Sequence, residues 1–463
     1  MLEEAVITIR ALGSEGQGIG SLASGKTVFA PGAFPDEECR VRITREGKRY
    51  CEAEVLEILK PSASRVSPFI PQDKVSGGLP LAPMSYGFQL EYKQNRVREC
   101  LIRITGLTED EADSLIRPIR GAKDNRRYRN HMQYQIRQGR IGLLVASSHE
   151  LGEYDEELIE YEIFSKIRRT IEKRFERAPT RILDGLVLRA SLRTMQVLME
   201  FVTTSNGPHE TLIRDIEDYL TASGIKEASY DLCRKEGFDL KGILLRISPD
   251  KASIRTRGGK RIVIDGCDSY DEIFCSRRLR IKAGSFFQVN TEQAEILAGI
   301  ASGYLKEAEV IYDLYCGCGT LGMGIKSGGQ KIFGIESVPE AVESAKINRK
   351  LAFPGSEDDL IYICRDVLKA DIADLIKKGR ILPADAVIVD PPRKGMDPGV
   401  IRKISDLAPR KICYVSCDPA SLARDLIQLR KSYDIAGITP VDLFPNAAGV
   451  ETVCLLSNRR NQQ

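Results

Sequence analysis

Short apolar runs alternate with amphipathic segments from residue 310 to the end of the chain. Six of these runs have the length and composition of buried strands, and they contain the letters VIYDL, KIFGIE, IYICR, AVIVD, KICYVSC and ETVCLLSN. Runs that are apolar along their whole length indicate strands covered on both faces, and the amphipathic segments between them indicate helices. The pattern predicts a mainly parallel sheet with helices on both faces, in a domain of residues 281–463.

The first 60 residues show short alternating strands, turns rich in glycine and proline, and no helical periodicity. This pattern predicts a small closed barrel of oligonucleotide-binding type, and its arrangement resembles a TRAM domain, an RNA-binding barrel found on RNA-modifying enzymes. Residues 1–60 carry 8 Lys or Arg against 10 Asp or Glu. Such a barrel cannot hold phosphates by its net charge, so its basic residues have to cluster on one face.

The segment between barrel and C-terminal sheet, residues 61–280, alternates helical and strand patterns and is expected to form an α+β domain that recognises RNA. Within it, residues 117–140 hold eight Lys or Arg, one acidic residue and the interleaved Tyr128 and Tyr134. This composition favours a surface that binds phosphates and stacks bases of single-stranded nucleic acid. A solvated charged face is the alternative interpretation.

The composition of the whole chain, 463 residues with 42% hydrophobic and 29% charged, is typical of a soluble globular protein of about three domains. No run of 18 or more apolar residues is present, and the first letters, MLEEAVITIRALG, are unlike a signal peptide. The twelve cysteines are spread from Cys39 to Cys454 without compact spacing, which indicates reduced thiols. We therefore expect a cytoplasmic protein, a monomer without membrane contact.

The segment of residues 411–426, KICYVSCDPASLARDL, predicts a strand that turns directly into a helix. Asp418 is a favourable N-cap residue, and Pro419 suits the first helical position. Cys417 lies just before them, where the backbone N–H groups and the helix dipole are expected to favour a thiolate. Cys417 is therefore a candidate nucleophile, and a buried, unreactive cysteine is the alternative.

A glycine-rich loop follows the first apolar run, in the segment Asp313–Gly322 with the letters DLYCGCGTLG. Its glycines permit a tight turn and close approach of a ligand to the backbone. The loop alone is compatible with a dinucleotide site, but the preceding Asp313 and the spacing D-x-x-x-G-x-G favour S-adenosylmethionine. Glu336, at the end of the next strand, is expected to bind a ribose diol in either kind of site. Asp366 follows the third strand and is expected near an adenine ring.

The run AVIVD ends in the motif DPPRKG, residues Asp390–Gly395. An Asp-Pro-Pro at the carboxyl end of a strand beside a cofactor is typical of methyltransferases, and dehydrogenases do not need it. Cys316 and Cys318 form a C-x-C pair, but no second Cys/His pair at ligand spacing accompanies them, and the chain has only three histidines. We therefore expect no metal and interpret these cysteines as small residues in a tight loop.

Taken together, the motifs resemble the bacterial 5-methyluridine RNA methyltransferases. The match runs through both N-terminal segments and then through SFFQVN, DLYCGCGTLG, GIE, DPPRKG, YVSCDP and FPNAAGVETV in family order. The resemblance implies an α/β Rossmann-like S-adenosylmethionine methyltransferase domain behind the TRAM barrel and the α+β central domain. It implies four contacts to S-adenosylmethionine, from Gln288, Tyr315, Glu336 and Asp390. It also implies Cys417 as the nucleophile, Glu451 as the base and an aromatic ring at Phe286 that stacks in the site.

Uracil chemistry supports the two catalytic roles. C5 of uridine is a poor nucleophile, so the methyl group cannot be transferred to it directly. Attack of the Cys417 thiolate on C6 creates an enolate whose C5 can accept the methyl group. A carboxylate, Glu451, must then remove the C5 proton before the thiol is expelled. A surface glutamate at a strand edge is the alternative interpretation of Glu451.

Two features depart from the family pattern. Many relatives carry cysteines for a [4Fe–4S] cluster between the barrel and the central domain. The corresponding positions here are Ile70, Ser76 and Leu79. No cysteine lies between Cys100 and Cys233 to supply a fourth ligand, so we expect a member of the family without an iron–sulfur cluster. The second departure is Gly449, where the family usually has a histidine close to the base.

Three other functions compete with uracil methylation. RNA 5-methylcytosine methyltransferases place a second cysteine in the Asp-Pro motif, where this chain has Arg393. An amino-methylating enzyme would not need the thiol of Cys417. A non-catalytic RNA-binding factor would not need to keep Cys417, Glu451 and Asp390 together. We expect 23S ribosomal RNA as the substrate, because of the barrel and the chain length, and transfer RNA is the alternative.

Overall fold

The computed structural model describes residues 4–66, 78–145, 150–152, 158–205, 209–249, 259–355 and 358–461. In these residues the α-helices are α1 Tyr86–Cys100, α2 Glu109–Leu115, α3 Glu162–Arg177, α4 His209–Ala222, α5 Ile225–Lys235, α6 Thr291–Leu305, α7 Thr320–Ile325, α8 Pro339–Ala352, α9 Ile372–Lys377, α10 Pro398–Leu407 and α11 Pro419–Leu429. Among the described helices, we find none with the length and apolar character that a membrane span requires.

Residues 4–60 form a six-stranded sheet in the order β1-β5-β6-β4-β3-β2. Its strands are β1 Glu4–Thr8, β2 Ala11–Leu12, β3 Gly18–Ser21, β4 Thr27–Ala30, β5 Glu38–Glu46 and β6 Tyr50–Lys60. The sheet closes because β1 pairs with β5 while β2, which continues the same segment, pairs with β3. Alternating side chains, among them Val28, Ala30 and Val41, fill the interior. The predicted barrel is confirmed.

A second six-stranded sheet forms the centre of the chain, in the order β12-β11-β10-β9-β7-β8. Its strands are β7 His131–Arg137, β8 Arg140–Gly142, β9 Gly185–Ser191, β10 Gln196–Thr204, β11 Asp239–Ser248 and β12 Lys260–Gly266. Helices α3, α4 and α5 share a hydrophobic core with this sheet, in which Phe164, Ile171 and Phe201 are buried. This mixture of helices and strands agrees with the α+β pattern of the sequence.

The C-terminal sheet has seven strands in the order β17-β16-β15-β18-β19-β21-β20, after a hairpin of β13 and β14. The strands are β13 Ser269–Phe274, β14 Arg277–Lys282, β15 Val310–Leu314, β16 Lys331–Glu336, β17 Leu360–Cys364, β18 Ala386–Val389, β19 Lys411–Ser416, β20 Tyr433–Val441 and β21 Glu451–Asn458. Five neighbouring strands are parallel, and β21 runs antiparallel to both β19 and β20. The parallel strand ends therefore meet at one edge of the sheet.

The strand β20 was not among the six predicted strands. Its sequence contains Gly437 and Pro440, two residues that weaken a strand pattern. It lies at the edge of the sheet, where proline is tolerated. Residues 116–120 run alongside it, with N–H donation from Arg117 to Ile438 O (2.8 Å) and from Arg120 to Pro440 O (2.9 Å). The neighbouring segment thus covers the sheet edge that β20 would otherwise expose.

The predicted domain ranges, 1–60, 61–280 and 281–463, stay a prediction. Two hydrophobic clusters contain residues from both sides of the second boundary. Val97 and Leu101, at the end of α1 and just after it, are buried with residues of the C-terminal sheet. The hairpin β13–β14 likewise packs into the core around β15 and α6. Helix α1 therefore belongs to the surroundings of the C-terminal sheet.

The basic segment 117–140 is only partly the surface that its composition predicted. Tyr128 and Tyr134 are buried, and their hydroxyl groups donate to Pro445 O and to the Glu160 carboxylate. The expectation that these rings stack bases is wrong, because β7 and the residues before it turn both rings into the protein interior. The exposed basic residues of the segment are Arg117, Arg120, Lys123, Arg126, Arg127 and Arg140.

Candidate active site

Cys417 and Glu451 face each other across two neighbouring strands. Strand β19 pairs antiparallel with β21, and Ser416 lies opposite Thr452. Cys417 follows Ser416 and Glu451 precedes Thr452, so this register brings the thiol and the carboxylate to the same strand end. Cys417 is half-buried and Glu451 is 4% exposed. The pairing of β19 with β21 thus brings together two residues that are 34 positions apart in the sequence.

The predicted strand–turn–helix around Cys417 is confirmed. Strand β19 ends at Ser416, and α11 begins at Pro419. Asp418 caps the helix, with its side chain accepting a hydrogen bond from Ser421 N (3.0 Å). The cap fixes the turn that presents Cys417 at the edge of the sheet.

The electrostatics around the thiol differ from the expectation. Burial, followed by the nearby charges of Glu451 and Asp390, raises the pKa of Cys417 to about 11. Burial together with Asp390 raises the pKa of Glu451 to about 8, and burial raises that of Asp390 to about 7. These effects outweigh the helix dipole, so at neutral pH the protonated thiol is the favoured form and the expectation of a thiolate is wrong.

The glycine-rich loop lies between β15 and α7. Tyr315, just after β15, has a positive φ of 64° and is half-buried. Asp313 is buried and accepts a hydrogen bond from Gly322 N (3.1 Å). A Cβ at Gly322 would lie 2.6 Å from that carboxylate, so the close approach requires glycine. Burial, followed by the charge of Asp390, raises the pKa of Asp313 to about 8.

Glu336 lies at the end of β16, where the loop leaves room for a ligand. Its carboxylate accepts hydrogen bonds from Gly317 N (3.1 Å) and Val338 N (2.8 Å), which hold it beside the loop. A Cβ built on Gly317 would meet no atom within 4 Å, so this stretch of backbone borders open space. A fixed carboxylate beside bare backbone suits the hydroxyl groups of an adenosine ribose.

The other predicted cofactor residues lie around the same edge. Asp390 follows β18, which is between β15 and β19 in the sheet. Gln288 is half-buried between β14 and α6, and its carbonyl accepts from Asn130 Nδ2 (2.8 Å). Phe286 is 50% exposed, and its carbonyl accepts from Cys318 Sγ (3.3 Å), which ties it to the glycine-rich loop. Asp366 is exposed beyond β17.

Helix α1 contributes a row of polar residues that the sequence reasoning missed, of which Gln89 and Lys93 are buried and Arg96 is half-buried. Gln89, Lys93 and Arg96 contact the loop of residues 442–450, which connects β20 to Glu451. Lys93 Nζ donates to Asp442 Oδ1 (2.5 Å) and to Phe444 O (2.9 Å). The spacing of the three residues puts them on one helix face. A polar row at that spacing is usually solvent-exposed, so the sequence gives no sign that these side chains contact a loop.

The first and last residues of this row both contact the 442–450 loop, and the last one also lies near the turn that carries Cys417. Gln89 donates to Asn446 Oδ1 (3.1 Å) and accepts from Asn446 N (2.8 Å). Arg96 Nη1 donates to Ala448 O (2.8 Å), and its Nη2 lies 3.6 Å from Asp418 Oδ1. Arg96 therefore links the loop before Glu451 to the cap residue beside Cys417.

Within the described residues, no group of three or more His, Cys, Asp or Glu side chains is arranged to hold a metal ion. Two of the positions where relatives carry cluster cysteines, Ile70 and Ser76, lie outside the described residues. The absence of an iron–sulfur cluster stays a prediction.

Comparison with known proteins identifies two regions of the chain. A family model of the TRAM domain matches residues 3–56, and a family model of tRNA (uracil-5-)-methyltransferase matches residues 368–459. An uncharacterized RNA methyltransferase of Clostridium tetani is 33% identical over 469 residues, which cover 97% of this chain and 95% of the relative. One of Clostridium acetobutylicum is 32% identical over 467 residues, covering 97% and 96%.

A solved structure agrees with the fold along the whole chain. It is that of the tRNA (uracil-54, C5)-methyltransferase of Pyrococcus abyssi in complex with S-adenosyl-L-homocysteine, with a TM-score of 0.73 and 24% identity over 98% of this chain and 100% of that chain. The similarity confirms the predicted fold class.

The chain belongs to the family of RNA uracil-C5 methyltransferases. The predicted family, the TRAM barrel and the enzyme class are confirmed.

The raised pKa of Cys417 predicts its reactivity. The rate of Cys417 alkylation by iodoacetamide, followed on its peptide by mass spectrometry, should rise about tenfold per pH unit well below pH 11, because only the thiolate reacts. At pH 9 the Glu451→Gln variant should react faster than the unaltered protein. In the unaltered protein Glu451 is ionised at this pH and its charge disfavours the Cys417 thiolate, whereas the glutamine variant has no such charge. At pH 6 the two rates should converge, since Glu451 is protonated there.

A matched control is Glu307→Gln, which removes an exposed carboxylate beside Lys411 at the other end of β19. Equal rates for Glu451→Gln and the unaltered protein at pH 9 would show that Glu451 does not influence the thiol.

The Lys93–Asp442 pair predicts a large effect on stability, because both side chains are fully buried. Lys93→Met should lower the free energy of unfolding, measured with urea, by about 3–5 kcal/mol, since it leaves a buried carboxylate without its cation. Lys93→Met combined with Asp442→Asn should recover part of the loss. The control Lys378→Met removes an exposed partner of Asp374 and should cost about 1 kcal/mol or less. A comparable loss in Lys93→Met and the control would contradict the assigned importance of the pair.

Proposed function

We propose that this enzyme methylates C5 of a uridine in RNA through a covalent bond between Cys417 Sγ and C6 of the base, with Glu451 removing the C5 proton. The observation that carries the proposal is the pairing of β19 with β21, because it brings one thiol and one buried carboxylate to the same strand end. Uracil C5 methylation by covalent catalysis needs one nucleophile and one base.

The proposed reaction has three steps at the base. Cys417 gives its proton to water, and its sulfur bonds to C6 while the C5–C6 π electrons shift toward C5 and O4, which makes C5 an enolate carbon. C5 then takes the methyl group. Glu451 removes the proton from C5, the C6–sulfur bond breaks, and the electron pair returns to the sulfur as the C5–C6 double bond re-forms. The raised pKa of Glu451, about 8, suits a group that has to accept a proton near neutral pH.

The residues that would hold S-adenosylmethionine are Gln288, Tyr315, Glu336 and Asp390. When bound, this cofactor supplies a methyl group on a positively charged sulfur. Glu336 is oriented beside open backbone at Gly317, where it would bind the ribose. Asp390 and the buried Asp313 lie at the same strand ends, and their ionised forms, which burial disfavours, would be stabilised by a cation there.

The glycine at position 449 does not weaken the assignment of Glu451. A Cβ at Gly449 would lie 3.5 Å from the Phe444 ring, an ordinary contact distance, so packing does not demand glycine there. The loop around it is held by Lys93 and Arg96 rather than by an imidazole. These contacts support an ordered position of Glu451 without the family histidine.

Exposed basic residues near the loop support RNA as the substrate. Arg117, Arg120, Lys123 and Arg126 are exposed in the segment that runs along β20. This segment also contacts the 442–450 loop, since Asp442 N donates to Arg120 O (3.0 Å) and Asn446 Nδ2 donates to Asn125 O (2.7 Å). Phosphates of an RNA strand entering the site would meet these cations.

The variant Glu451→Gln tests the mechanism. It should still bond to C6 and transfer methyl, and then stall, because no base removes the C5 proton. General-base removal typically costs about 100- to 10,000-fold in rate. The measurement is a denaturing gel with ordinary uridine RNA and methyl-tritiated cofactor, on which a labelled protein–RNA band should accumulate.

Two comparisons make this test specific. Cys417→Ala on the same background should remove the band, and RNA with 5-fluorouridine should give a similar band with the unaltered enzyme, since fluorine at C5 cannot leave as a proton. Normal turnover by Glu451→Gln would assign the base to another group. A band that survives Cys417→Ala would assign the nucleophile elsewhere.

The proposed target is 23S ribosomal RNA, on the basis of the barrel and the chain length, with transfer RNA as the alternative. In a strain without this protein, 5-methyluridine should disappear from one 23S site and persist in transfer RNA. Mass mapping of both RNAs measures this. Loss from transfer RNA alone would overturn the ribosomal assignment and leave the chemistry unchanged.

A further inference from the structure

We propose that Asp425 is a positioning residue that holds Arg393 near the thiol of Cys417 and thereby promotes ionisation of that thiol. Asp425 lies on α11, and Arg393 lies between β18 and α10 in residues 391–396, which we call the arginine loop. The inference rests on the proposed function, because it takes Cys417 as the nucleophile. It assigns a role to a residue that contacts neither the thiol nor the base.

Asp425 is a buried carboxylate whose hydrogen bonds hold the arginine loop against α11. Its Oδ2 accepts from Met396 N (2.8 Å) and from Tyr414 OH (2.8 Å). Its Oδ1 accepts from Arg424 Nη2 (2.7 Å), and the same nitrogen donates to Lys394 O (2.6 Å). The carboxylate is therefore the point at which strand β19, helix α11 and the arginine loop are joined.

Gly395 shows how closely the arginine loop approaches this carboxylate. Its φ is 80°, and a Cβ there would overlap Arg424 Nη2 and lie 2.6 Å from Asp425 Oδ2. Glycine adopts this conformation without strain and leaves room for the two side chains. The contact with α11 thus accounts for the glycine of the DPPRKG motif.

The first turn of α11 holds the backbone of Arg393 itself. Ser421 Oγ donates to Arg393 O (3.1 Å), and Ser421 N donates to the side chain of the cap residue Asp418 (3.0 Å). Cys417 directly precedes that cap. The backbone of Arg393 is therefore tied to the same turn that presents the thiol, while its side chain is exposed.

The charged groups around the thiol come from several elements. They are Glu451 on β21, Asp390 and Arg393 after β18, and the cap Asp418, which lies 3.6 Å from Arg96 of α1. Burial, followed by the charges of Glu451 and Asp390, raises the pKa of the thiol, and the charge of Arg393 partly offsets this increase. A shift of the arginine loop would remove that offset.

The sign of the effect separates positioning from a direct effect of the Asp425 charge. A negative charge near a thiol disfavours the thiolate, so removing the charge of Asp425 would by itself speed a reaction of the thiolate. Displacement of Arg393 would slow the same reaction. The two explanations therefore predict opposite changes for one substitution.

The experiment measures alkylation of Cys417 by iodoacetamide at pH 8, followed on its peptide by mass spectrometry, without RNA or cofactor. Asp425→Ala and Arg393→Gln should each slow alkylation by about three- to tenfold, the effect of one partly solvated charge on a neighbouring ionisation. Asp425→Asn should recover most of the rate, because its amide oxygen can still accept from Met396 N. The double variant Arg393→Gln with Asp425→Ala should be no slower than Arg393→Gln alone, since Asp425 acts through Arg393.

The matched control is Asp271→Ala, which removes another buried aspartate that pairs with two arginines, on the hairpin of β13 and β14. It should lower the free energy of unfolding and leave the alkylation rate of Cys417 unchanged. N-ethylmaleimide, a larger reagent, should give the same ratios between variants, because a change in ionisation affects both reagents equally. If Asp425→Ala does not fold, Ser421→Ala removes the hydrogen bond to Arg393 O and should also slow alkylation.

Several outcomes would overturn the proposal. They are an unchanged or faster rate in Asp425→Ala, or in Ser421→Ala where it replaces that variant, an equal slowing by Asp425→Ala with and without Arg393, an Asp425→Asn rate as low as that of Asp425→Ala, an equal slowing in Asp271→Ala, and ratios that differ between the two reagents. The failure of the two proposals is distinguishable. The predicted alkylation rates together with methylation by Cys417→Ala would retire the catalytic proposal alone. Cys417-dependent methylation with an unchanged alkylation rate in Asp425→Ala would retire the positioning role alone.

Discussion

The buried ion pair between Lys93 and Asp442 is the contact on which the candidate site depends most. Asp442 directly follows β20 and is the first residue of the 442–450 loop, which leads to Glu451. A loop of this length has no regular hydrogen bonding of its own, so its backbone groups need partners from elsewhere. Helix α1 supplies them with Gln89, Lys93 and Arg96. The position of the proposed base is therefore set by a helix more than 350 residues away in the chain.

The same helix joins the barrel to the catalytic edge of the sheet. One of its faces contacts the barrel through Phe88 and Tyr92, and another contacts the loop before Glu451 and the cap beside Cys417. The barrel and the strand ends at Cys417 thus lie against two faces of one helix. This geometry gives the N-terminal barrel a fixed relation to the site of chemistry.

Several carboxyl groups are buried together at the strand ends, where burial makes their ionisation costly. Asp313, Asp390 and Glu451 all have raised pKa values, and the charge of Asp390 contributes to the raised pKa of Asp313, Glu451 and Cys417. A cation among these carboxylates would relieve the cost, and the family's methyl donor is a sulfonium. The arrangement links binding of a positively charged donor to ionisation of the thiol and the base, because a nearby positive charge lowers the pKa of both.

The sequence by itself determined the local elements and the candidate chemistry. The strand, turn and helix around Cys417, the glycine-rich loop and the barrel follow from residue patterns whose physical causes act within a few positions, such as the cap at Asp418. The tertiary structure decided what depends on distant partners. Tyr128 and Tyr134 look like exposed rings in a basic segment and are buried, and the polar face of α1 looks solvated and binds a loop. Gly437 and Pro440 disguise the sequence pattern of strand β20, so it does not read as a strand. The thiol of Cys417, which the start of a helix should ionise, stays protonated beside the carboxyl groups of Glu451 and Asp390. Burial and long-range charge arise only when segments meet, so no local pattern could have shown them.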